Sequence, residues 1–243
     1  MRLLVSWITT LLFLPFFAGI LLLFHPLFLI AHWISPKAFL FLYKVFNLSI
    51  LTALRITGMK FEITLKAPLP TCGPVILVSN HQSMFDMPPI IWTTRHLEPK
   101  FIAKRELAKG YPSISLCLRH TGSVLIDRSD PKSAYPLIEE FAQRLERSGL
   151  TLCIFPEGTR ARDGELKPFR AGGLGTLMKH APSAIIVPIA IDNSWKIVQH
   201  KLFPIPWGLT VRLTFLPPRK LTGLTPEQAA QSLHDEIEAA LDS

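Results

Sequence analysis

The sequence has few cysteines and lacks the short motifs that identify several common classes of enzyme. Its 243 residues include three cysteines, and none of them form a Cys-x-x-Cys pair. This sparse, odd-numbered set argues against a disulfide framework and favours a reducing compartment. No Gly-x-Ser-x-Gly, His-Glu-x-x-His or Gly-x4-Gly-Lys-Ser/Thr motif occurs. These absences argue against a classical serine hydrolase, a zinc hydrolase and a P-loop nucleotide site.

Acidic residues are also scarce relative to basic ones. The 18 Asp and Glu residues against 26 Lys and Arg residues give a net charge of +8. A basic chain suits an anionic membrane surface, a phosphorylated substrate or nucleic acid. The charges are dispersed and no nucleic-acid-binding signature occurs, so we do not expect a nucleic-acid partner. The mean hydropathy of +0.31 is high for a purely soluble domain.

The N-terminal quarter of the chain is strongly apolar. Residues 3–24 contain no ionisable side chain, and a helix of that length would span a ~30 Å hydrocarbon core. Pro15 and the His25-Pro26 pair are expected to kink or end this helix. A second apolar stretch, residues 38–54, carries Lys44 and has basic residues on both sides that can reach a headgroup layer.

Three interpretations of this region stay open. A cleaved signal peptide fits the start, but no small-residue cleavage site follows. The alternatives are a transmembrane helix followed by an interfacial helix, and a hairpin that enters one leaflet without crossing it. The basic residues after the apolar run favour the cytoplasmic side for the rest of the chain. We therefore expect residues 1–58 to be a membrane-associated helical segment and residues 59–243 to form a domain on the cytoplasmic face of the inner membrane.

From residue 60 onward, short runs rich in β-branched residues alternate with helical stretches. Strands are predicted at residues 61–65, 75–78, 101–103, 124–126, 152–155, 185–189 and 209–215. Helices are predicted at residues 132–147, 172–179 and 226–241. This alternation predicts an α/β domain with a mixed or mostly parallel sheet covered by helices.

Polar residues directly follow three of the predicted strands. The first strand of the three runs into residues 79–86, the second into Asp127 and Arg128, and the third into residues 156–160. In open α/β sheets the carboxyl ends of the strands line the ligand crevice. The sequence therefore predicts that a His/Asp pair, an Arg and a Glu/Arg pair converge at one edge of the sheet.

His81 and Asp86 are the candidate base and its orienting carboxylate. A neutral imidazole removes a proton from a hydroxyl when a carboxylate holds its second nitrogen. A five-residue step lies about 140° off-face on a regular helix. The pair can meet only if His81 lies on a strand-to-helix turn and Asp86 in the first helical turn, with Ser83 or Asn80 as the cap. A solvated Asp and a structural His are the alternative.

A set of cations follows the predicted strands closely and suits an anionic ligand. Lys104, Arg128 and Arg160 can contact phosphate oxygens, although each alone also reads as an ordinary surface base. The glycines of residues 172–175, at a predicted helix start, are a weak second anion signal. Trp92, Trp195 and Trp207 are predicted to pack in the core or at a membrane interface.

The residues that follow the predicted strands resemble those of a known family, the glycerolipid acyltransferases. They are most similar to those of bacterial 1-acyl-glycerol-3-phosphate acyltransferases. The likeness covers roughly residues 60 to 215 and rests on four blocks in the family's order. The blocks are residues 80–86 (Asn-His-x4-Asp), 122–128, 155–160 (Phe-Pro-Glu-Gly-Thr-Arg) and 187–189. Residues 101–107 and 165–169 also match family usage, whereas residues 111–116 depart from it, which bears on acyl length or acceptor choice.

The resemblance implies direct transfer of a fatty acyl group from acyl-CoA or acyl carrier protein to lysophosphatidic acid in a phospholipid membrane, giving phosphatidic acid. His81 and Asp86 would be catalytic. The acceptor-binding residues would be Lys104, Arg128, Glu157, Gly158, Thr159 and Arg160. No metal or cofactor is expected. Another lysolipid or amino-lipid acceptor, and a non-catalytic lipid-binding protein with the same fold, remain the alternatives.

Overall fold

The computed structural model describes residues 1–127 and 130–242, and within them it contains one seven-stranded sheet and seven α-helices. The strands are β1 Lys60–Leu65, β2 Val75–Ser79, β3 Lys100–Lys104, β4 Val124–Ile126, β5 Thr151–Ile154, β6 Ile185–Asp192 and β7 Thr210–Phe215. The helices are α1 Arg2–Ile34, α2 Pro36–Leu54, α3 Met87–Thr93, α4 Ile114–His120, α5 Pro131–Ser148, α6 Ala171–His180 and α7 Pro226–Leu241. Single 3₁₀ turns lie at Arg55–Thr57, Arg105–Ala108 and Ser194–Ile197.

The sheet has the order β1-β7-β6-β2-β5-β3-β4. Only β6 and β7 pair in antiparallel fashion among the described strands, and the other neighbours are parallel. The predicted mixed, mostly parallel sheet is therefore confirmed. The carboxyl ends of β2, β3, β4, β5 and β6 all lie at one edge, which is where the predicted site residues follow their strands.

Helices cover both faces of the sheet, as predicted. Alternate residues of β2 point to opposite faces, so Leu77 joins a core with α1 to α4, while Ile76 joins a core with α5 to α7. Every residue of β2 is buried. This explains why the strand reads as a continuous apolar run rather than an alternating one.

The first helix is longer than the sequence suggested. Of the two expected effects of the prolines, a kink or an end, the helix end is wrong, because α1 continues through Pro15 and Pro26 to Ile34. Pro26 removes one helical N–H, but a neighbouring segment braces this region. Ser113, just before α4, donates its hydroxyl to the carbonyl of Leu21 at 2.6 Å and its N–H to His25 Nδ1 at 3.0 Å.

By length and composition, two helical segments, Arg2–Ile34 and Pro36–Thr57, are apolar enough to cross a membrane. They also pack against the α/β domain, since Phe13 and Phe28 are fully buried in the same core as the sheet residues. The predicted boundary at residue 58 therefore stays a prediction. The cysteines are free, with Cys153 buried, as expected, and Cys72 exposed.

Candidate active site

The site begins where β2 separates from β6. The side-chain amide of Asn80 donates to the carbonyl of Ile191 at 2.8 Å and accepts from the N–H of Ile191 at 2.7 Å. The Asn80 side chain pairs with the main chain of β6 where a continued β2 would have done so. The chain can therefore leave the sheet without leaving buried peptide groups of β6 unpaired. As a result, His81 projects from the carboxyl edge of the sheet.

His81 and Asp86 meet, as the sequence analysis required. His81 Nδ1 lies 2.8 Å from Asp86 Oδ2, and both side chains are buried. Because ionised Asp is an acceptor, His81 Nδ1 carries the proton in this pair, and Nε2 is left with its lone pair. The pair forms on the turn after β2, with Asp86 as the N-cap residue immediately before α3.

Asp86 is held in a fixed orientation by further donors. Its Oδ2 also accepts from the N–H groups of Gln82 at 2.7 Å and Ser83 at 2.9 Å, and its Oδ1 accepts from the Ser83 hydroxyl at 3.2 Å. The expected capping of α3 by Ser83 or Asn80 is wrong. Both side chains make other contacts: the Ser83 hydroxyl accepts a hydrogen bond within the turn, and the Asn80 amide bonds to the main chain of β6.

The sequence analysis missed Ser194. Its hydroxyl donates to Asp86 Oδ1 at 2.5 Å, and the residue is fully buried. Ser194 begins the 3₁₀ turn that follows β6 after one intervening residue, so it also lies past the carboxyl end of a strand. Its place among the polar residues after β6 was a signal in the sequence, but no local pattern indicates its contact with Asp86.

The segment after β5 fixes the main chain of His81. The N–H of His81 donates to Glu157 Oε1 at 2.7 Å, and the carbonyl of His81 accepts from the N–H of Ala161 at 2.7 Å. The imidazole stacks on Phe155, with ring centroids 4.2 Å apart and planes 19° from parallel. The imidazole ring thus packs with one face on Phe155, and the peptide groups of His81 are held by the loop after β5.

Glu157 is a buried carboxyl group with an unusual pKa. Burial raises the pKa of Glu157 to about 7, against the opposing effect of the hydrogen bond from the His81 N–H. Its Oε2 has no hydrogen-bond partner within the described part of the chain. Glu157 contacts the His81 backbone, so its observed contacts are those of a residue that positions the base.

Arg160 lies beside the free nitrogen of His81. Its Nε is 3.4 Å from His81 Nε2, a long contact in which the guanidinium donates to the lone pair. Burial lowers the pKa of Arg160, and the charge of Asp86 opposes this effect. Lys167 Nζ donates to the carbonyl of Arg160 at 2.8 Å and so holds this loop in place. A cation therefore stands next to the candidate base.

Lys104, Gly158 and Thr159 lie at the same edge of the sheet. Lys104 is exposed at the end of β3, and Thr159 is exposed on the loop after β5. Gly158 adopts a φ of +71°, and an added Cβ would lie 3.3 Å from the Arg170 guanidinium, so this turn requires glycine. Arg128 lies outside the described residues.

An apolar cavity opens beside Arg160. Its volume is about 270 Å³, far above the ~30 Å³ share of one water molecule. The walls come from α1, α2, α3 and α4 together with the end of β3, and residues along them include Phe46, Met84, Ile114, Cys117 and Arg160. A long hydrocarbon fits such a lining, and a polar ligand does not.

The side chains at this site can together activate a hydroxyl on a ligand that carries an anionic group and a hydrocarbon chain. A buried, oriented imidazole can take a proton from a hydroxyl, an adjacent cation can hold an anion, and an apolar cavity can hold a hydrocarbon. A sequence model of the family described as Acyltransferase matches residues 60–192, which include His81, Asp86 and Arg160. The chain belongs to the Acyltransferase family.

Named relatives are 30% to 34% identical to this acyltransferase chain over the aligned residues. It is 30% identical over 186 residues to mouse 1-acyl-sn-glycerol-3-phosphate acyltransferase alpha, covering 76% of this chain and 63% of the relative. It is 34% identical over 170 residues to the human beta enzyme, covering 69% and 59%. It is 31% identical over 144 residues to the Limnanthes douglasii enzyme, covering 59% and 49%. The matches thus span about half to two thirds of the relatives.

The fold also has a solved counterpart. The crystal structure of the 1-acyl-sn-glycerophosphate (LPA) acyltransferase PlsC from Thermotoga maritima superimposes with a TM-score of 0.80. The match covers 100% of this acyltransferase and 97% of that chain at 22% sequence identity. At this identity the likeness establishes the fold, including the two N-terminal apolar helices, and residue roles must be argued from the site itself.

Proposed function

We propose that this acyltransferase moves a fatty acyl group from a thioester, acyl-CoA or acyl carrier protein, to the sn-2 hydroxyl of 1-acyl-glycerol-3-phosphate. The product would be phosphatidic acid. The observation that carries the proposal is the buried His81–Asp86 pair, in which His81 Nε2 accepts a long hydrogen bond from Arg160. The names of the relatives favour lysophosphatidic acid among acceptors.

In the proposed reaction, His81 Nε2 takes the proton of the acceptor hydroxyl as the oxygen attacks the thioester carbonyl carbon. Asp86 stabilises the imidazolium that forms, because its Oδ2 accepts from Nδ1. The tetrahedral intermediate then expels the thiolate, which receives the proton from His81. General base catalysis typically contributes ~10²–10⁴-fold, and alignment of the two substrates supplies more.

The acceptor phosphate is proposed to bind Arg160, with Lys104 and Thr159 at the same edge as further candidates, and Arg128 stays a candidate from the sequence alone. In the free protein the Arg160 guanidinium occupies the lone pair of His81 Nε2. A phosphate that draws the guanidinium away would leave Nε2 free for the hydroxyl of the same molecule. Glu157 and Gly158 would then act on the position of the loop and of His81 rather than on the acceptor directly.

The apolar cavity is proposed to hold an acyl chain. It extends from Arg160 and Met84, next to the proposed base, towards Cys117 on α4. Burying a chain there contributes about 0.8 kcal/mol for each methylene group removed from water. This placement would keep the reacting carbonyl near His81 while the hydrocarbon lies among the N-terminal helices.

We further propose that α1 lies in one leaflet instead of crossing the membrane. The α/β domain contacts α1 near its start, through Thr10, and near its end, where the rings of His32 and His120 lie 4.1 Å apart. The contacts at Thr10 and His32 are about 33 Å apart along the helix at 1.5 Å per residue, so the domain contacts α1 over more than the ~30 Å of a hydrocarbon core. The domain would then sit on the cytoplasmic face, where thioester donors are made.

A transfer assay with purified protein tests the proposal. Labelled acyl-CoA, labelled acyl carrier protein and a panel of lysolipids are supplied in detergent micelles, and acylated products are separated. We expect phosphatidic acid from lysophosphatidic acid. Absence of acyl transfer to every lysolipid would contradict the enzymatic account, and preference for a phosphate-free acceptor would contradict the acceptor assignment.

Arg160→Ala separates the acceptor alternatives. If the guanidinium binds a phosphate, the substitution should raise KM for the acceptor by about 10- to 100-fold, because a hydrogen bond to a charged group contributes ~1.5–3 kcal/mol. KM for the thioester should change far less. Arg160→Lys, which keeps the charge without the planar fork, is the matched control and should recover part of the affinity.

A further inference from the structure

A loop outside the N-terminal helices packs against the start of α1. The N–H of Ile205 donates to Thr10 Oγ1 at 2.9 Å, and the N–H of Trp207 donates to Ser6 Oγ at 2.9 Å. Ser6 and Thr10 are buried on the face of α1 that is turned towards the domain. The loop, residues 198–209 between the last 3₁₀ turn and β7, is therefore fixed to α1 by two buried hydroxyls, each of which accepts from the loop while donating to a helix carbonyl four residues earlier.

The exposed apolar surface of α1 continues onto this loop. Trp7, which is 40% exposed, lies beside the buried Ser6, and its ring meets that of Phe203 edge-on with centroids 4.5 Å apart. Beyond Phe203, Trp207 is 44% exposed. Trp7 thus lies at the border between the exposed stripe of α1 and the loop, and the two form one apolar patch.

Trp207 is held in a fixed position. Gly58 has a φ of +71°, and an added Cβ there would lie 3.0 Å from the Trp207 ring, so the indole lies directly over this glycine. The N–H of Gly208 donates to the carbonyl of Thr57 at 3.0 Å. The contact of the ring with Gly58 and the hydrogen bond of Gly208 to Thr57 therefore hold the Trp207 side chain in one orientation.

The chain segments that form the patch carry charges of one sign. No Asp or Glu occurs in residues 1–61 or in residues 193–226. Exposed cations border the patch, and they are Arg2, Arg55, Lys60 and Lys201. An apolar surface with an amphipathic Trp and a basic rim matches the boundary between acyl chains and anionic headgroups.

We propose that the loop of residues 198–209 is a third membrane-contacting element, which inserts Trp207 at the headgroup boundary of the same leaflet that receives α1. The occupant of the patch is a lipid bilayer that contains anionic lipid. The inference rests on the membrane association in the proposed function. It adds a contact far along the chain from the N-terminal helices, near the start of β7.

Tryptophan quenching tests the loop directly. The full chain is reconstituted in vesicles of phosphatidylglycerol and phosphatidylcholine, with acyl chains brominated near the headgroup or unbrominated. Trp207→Phe is compared with the wild type, since phenylalanine keeps an aromatic ring over Gly58. Trp33→Phe is the matched control, because Trp33 lies on α1 and is 89% exposed. Circular dichroism confirms that each variant is folded.

The emission that brominated lipid removes should be smaller in Trp207→Phe than in the wild type, and the unquenched emission should be unchanged. If Trp33→Phe reduces the quenched emission and Trp207→Phe reduces only the unquenched part, the loop proposal is overturned and the placement of α1 stands. If brominated lipid quenches none of the emission of the wild type, the membrane placement of α1 fails as well. If the emission of Trp207 is blue-shifted but is not quenched by brominated lipid, a second protein chain covers the residue. This result would also overturn the proposal.

Discussion

Replacement of Asp86 by Asn should remove the charge at the site and leave the turn intact. An amide oxygen in the place of Oδ2 can still accept from Gln82 N–H, Ser83 N–H and His81 Nδ1. An amide nitrogen in the place of Oδ1 faces the hydroxyls of Ser83 and Ser194, and either hydroxyl can accept in turn. The substitution therefore keeps the tautomer of His81 and loses only the stabilisation of the imidazolium.

The size of the loss follows from that charge. Two unit charges about 4 Å apart at an effective dielectric constant of about 20 interact by about 4 kcal/mol, so kcat should fall by about 10²–10³-fold. Steady-state transfer from acyl-CoA to lysophosphatidic acid gives kcat and KM, and thermal unfolding reports stability. We expect a small change in KM and in melting temperature. A kcat for Asp86→Asn within twofold of the wild type would refute the assignment of Asp86 as the stabilising carboxylate.

Three other substitutions test separate parts of the account. Ser194→Ala removes a donor to Asp86 and should lower kcat about tenfold without changing the acceptor KM, whereas the exposed Ser183→Ala should change neither. Because the folded-state pKa of Glu157 is raised to about 7, the folded protein binds that proton more tightly than the unfolded chain, and its stabilising effect is lost as pH rises from about 4.5 through 7. The Glu157→Gln variant should therefore have a larger free energy of unfolding than the wild type at pH 8, by up to about 3 kcal/mol. This difference should be smaller at pH 5. An equal difference at pH 5 and pH 8 would contradict the burial argument. Cys117→Phe fills part of the apolar cavity and should shift the preferred donor to shorter acyl chains in a competition assay, unlike Cys72→Ala at the surface.

The sequence predicted the strands and most of the site for one physical reason. Buried parallel strands must be apolar on both faces, so each is a short apolar run, and the first polar residues after the run mark the carboxyl edge. This pattern located His81, Asp86 and Arg160, which the structure brings together. The spacing also required a turn between His81 and Asp86, and that turn is present.

Other features depend on contacts that no local pattern records. The order of the strands follows from pairing between distant segments, such as β2 with β6. Ser113, which contacts α1 beside Pro26, is 88 residues away from His25. Ser194 reaches Asp86 across 108 residues, and α3 and α4 are too short at 7 residues each for helical periodicity to be recognised.

The most direct test of the central claim is single-turnover acyl transfer by His81→Ala, with the folded variant in excess over labelled thioester and lysophosphatidic acid saturating. The account predicts that the rate of phosphatidic acid formation falls by at least about 10³-fold, since both the base and its alignment with the hydroxyl are lost. Formation of phosphatidic acid by this variant at the wild-type rate would show that the imidazole is not the base, and the proposed mechanism would be wrong.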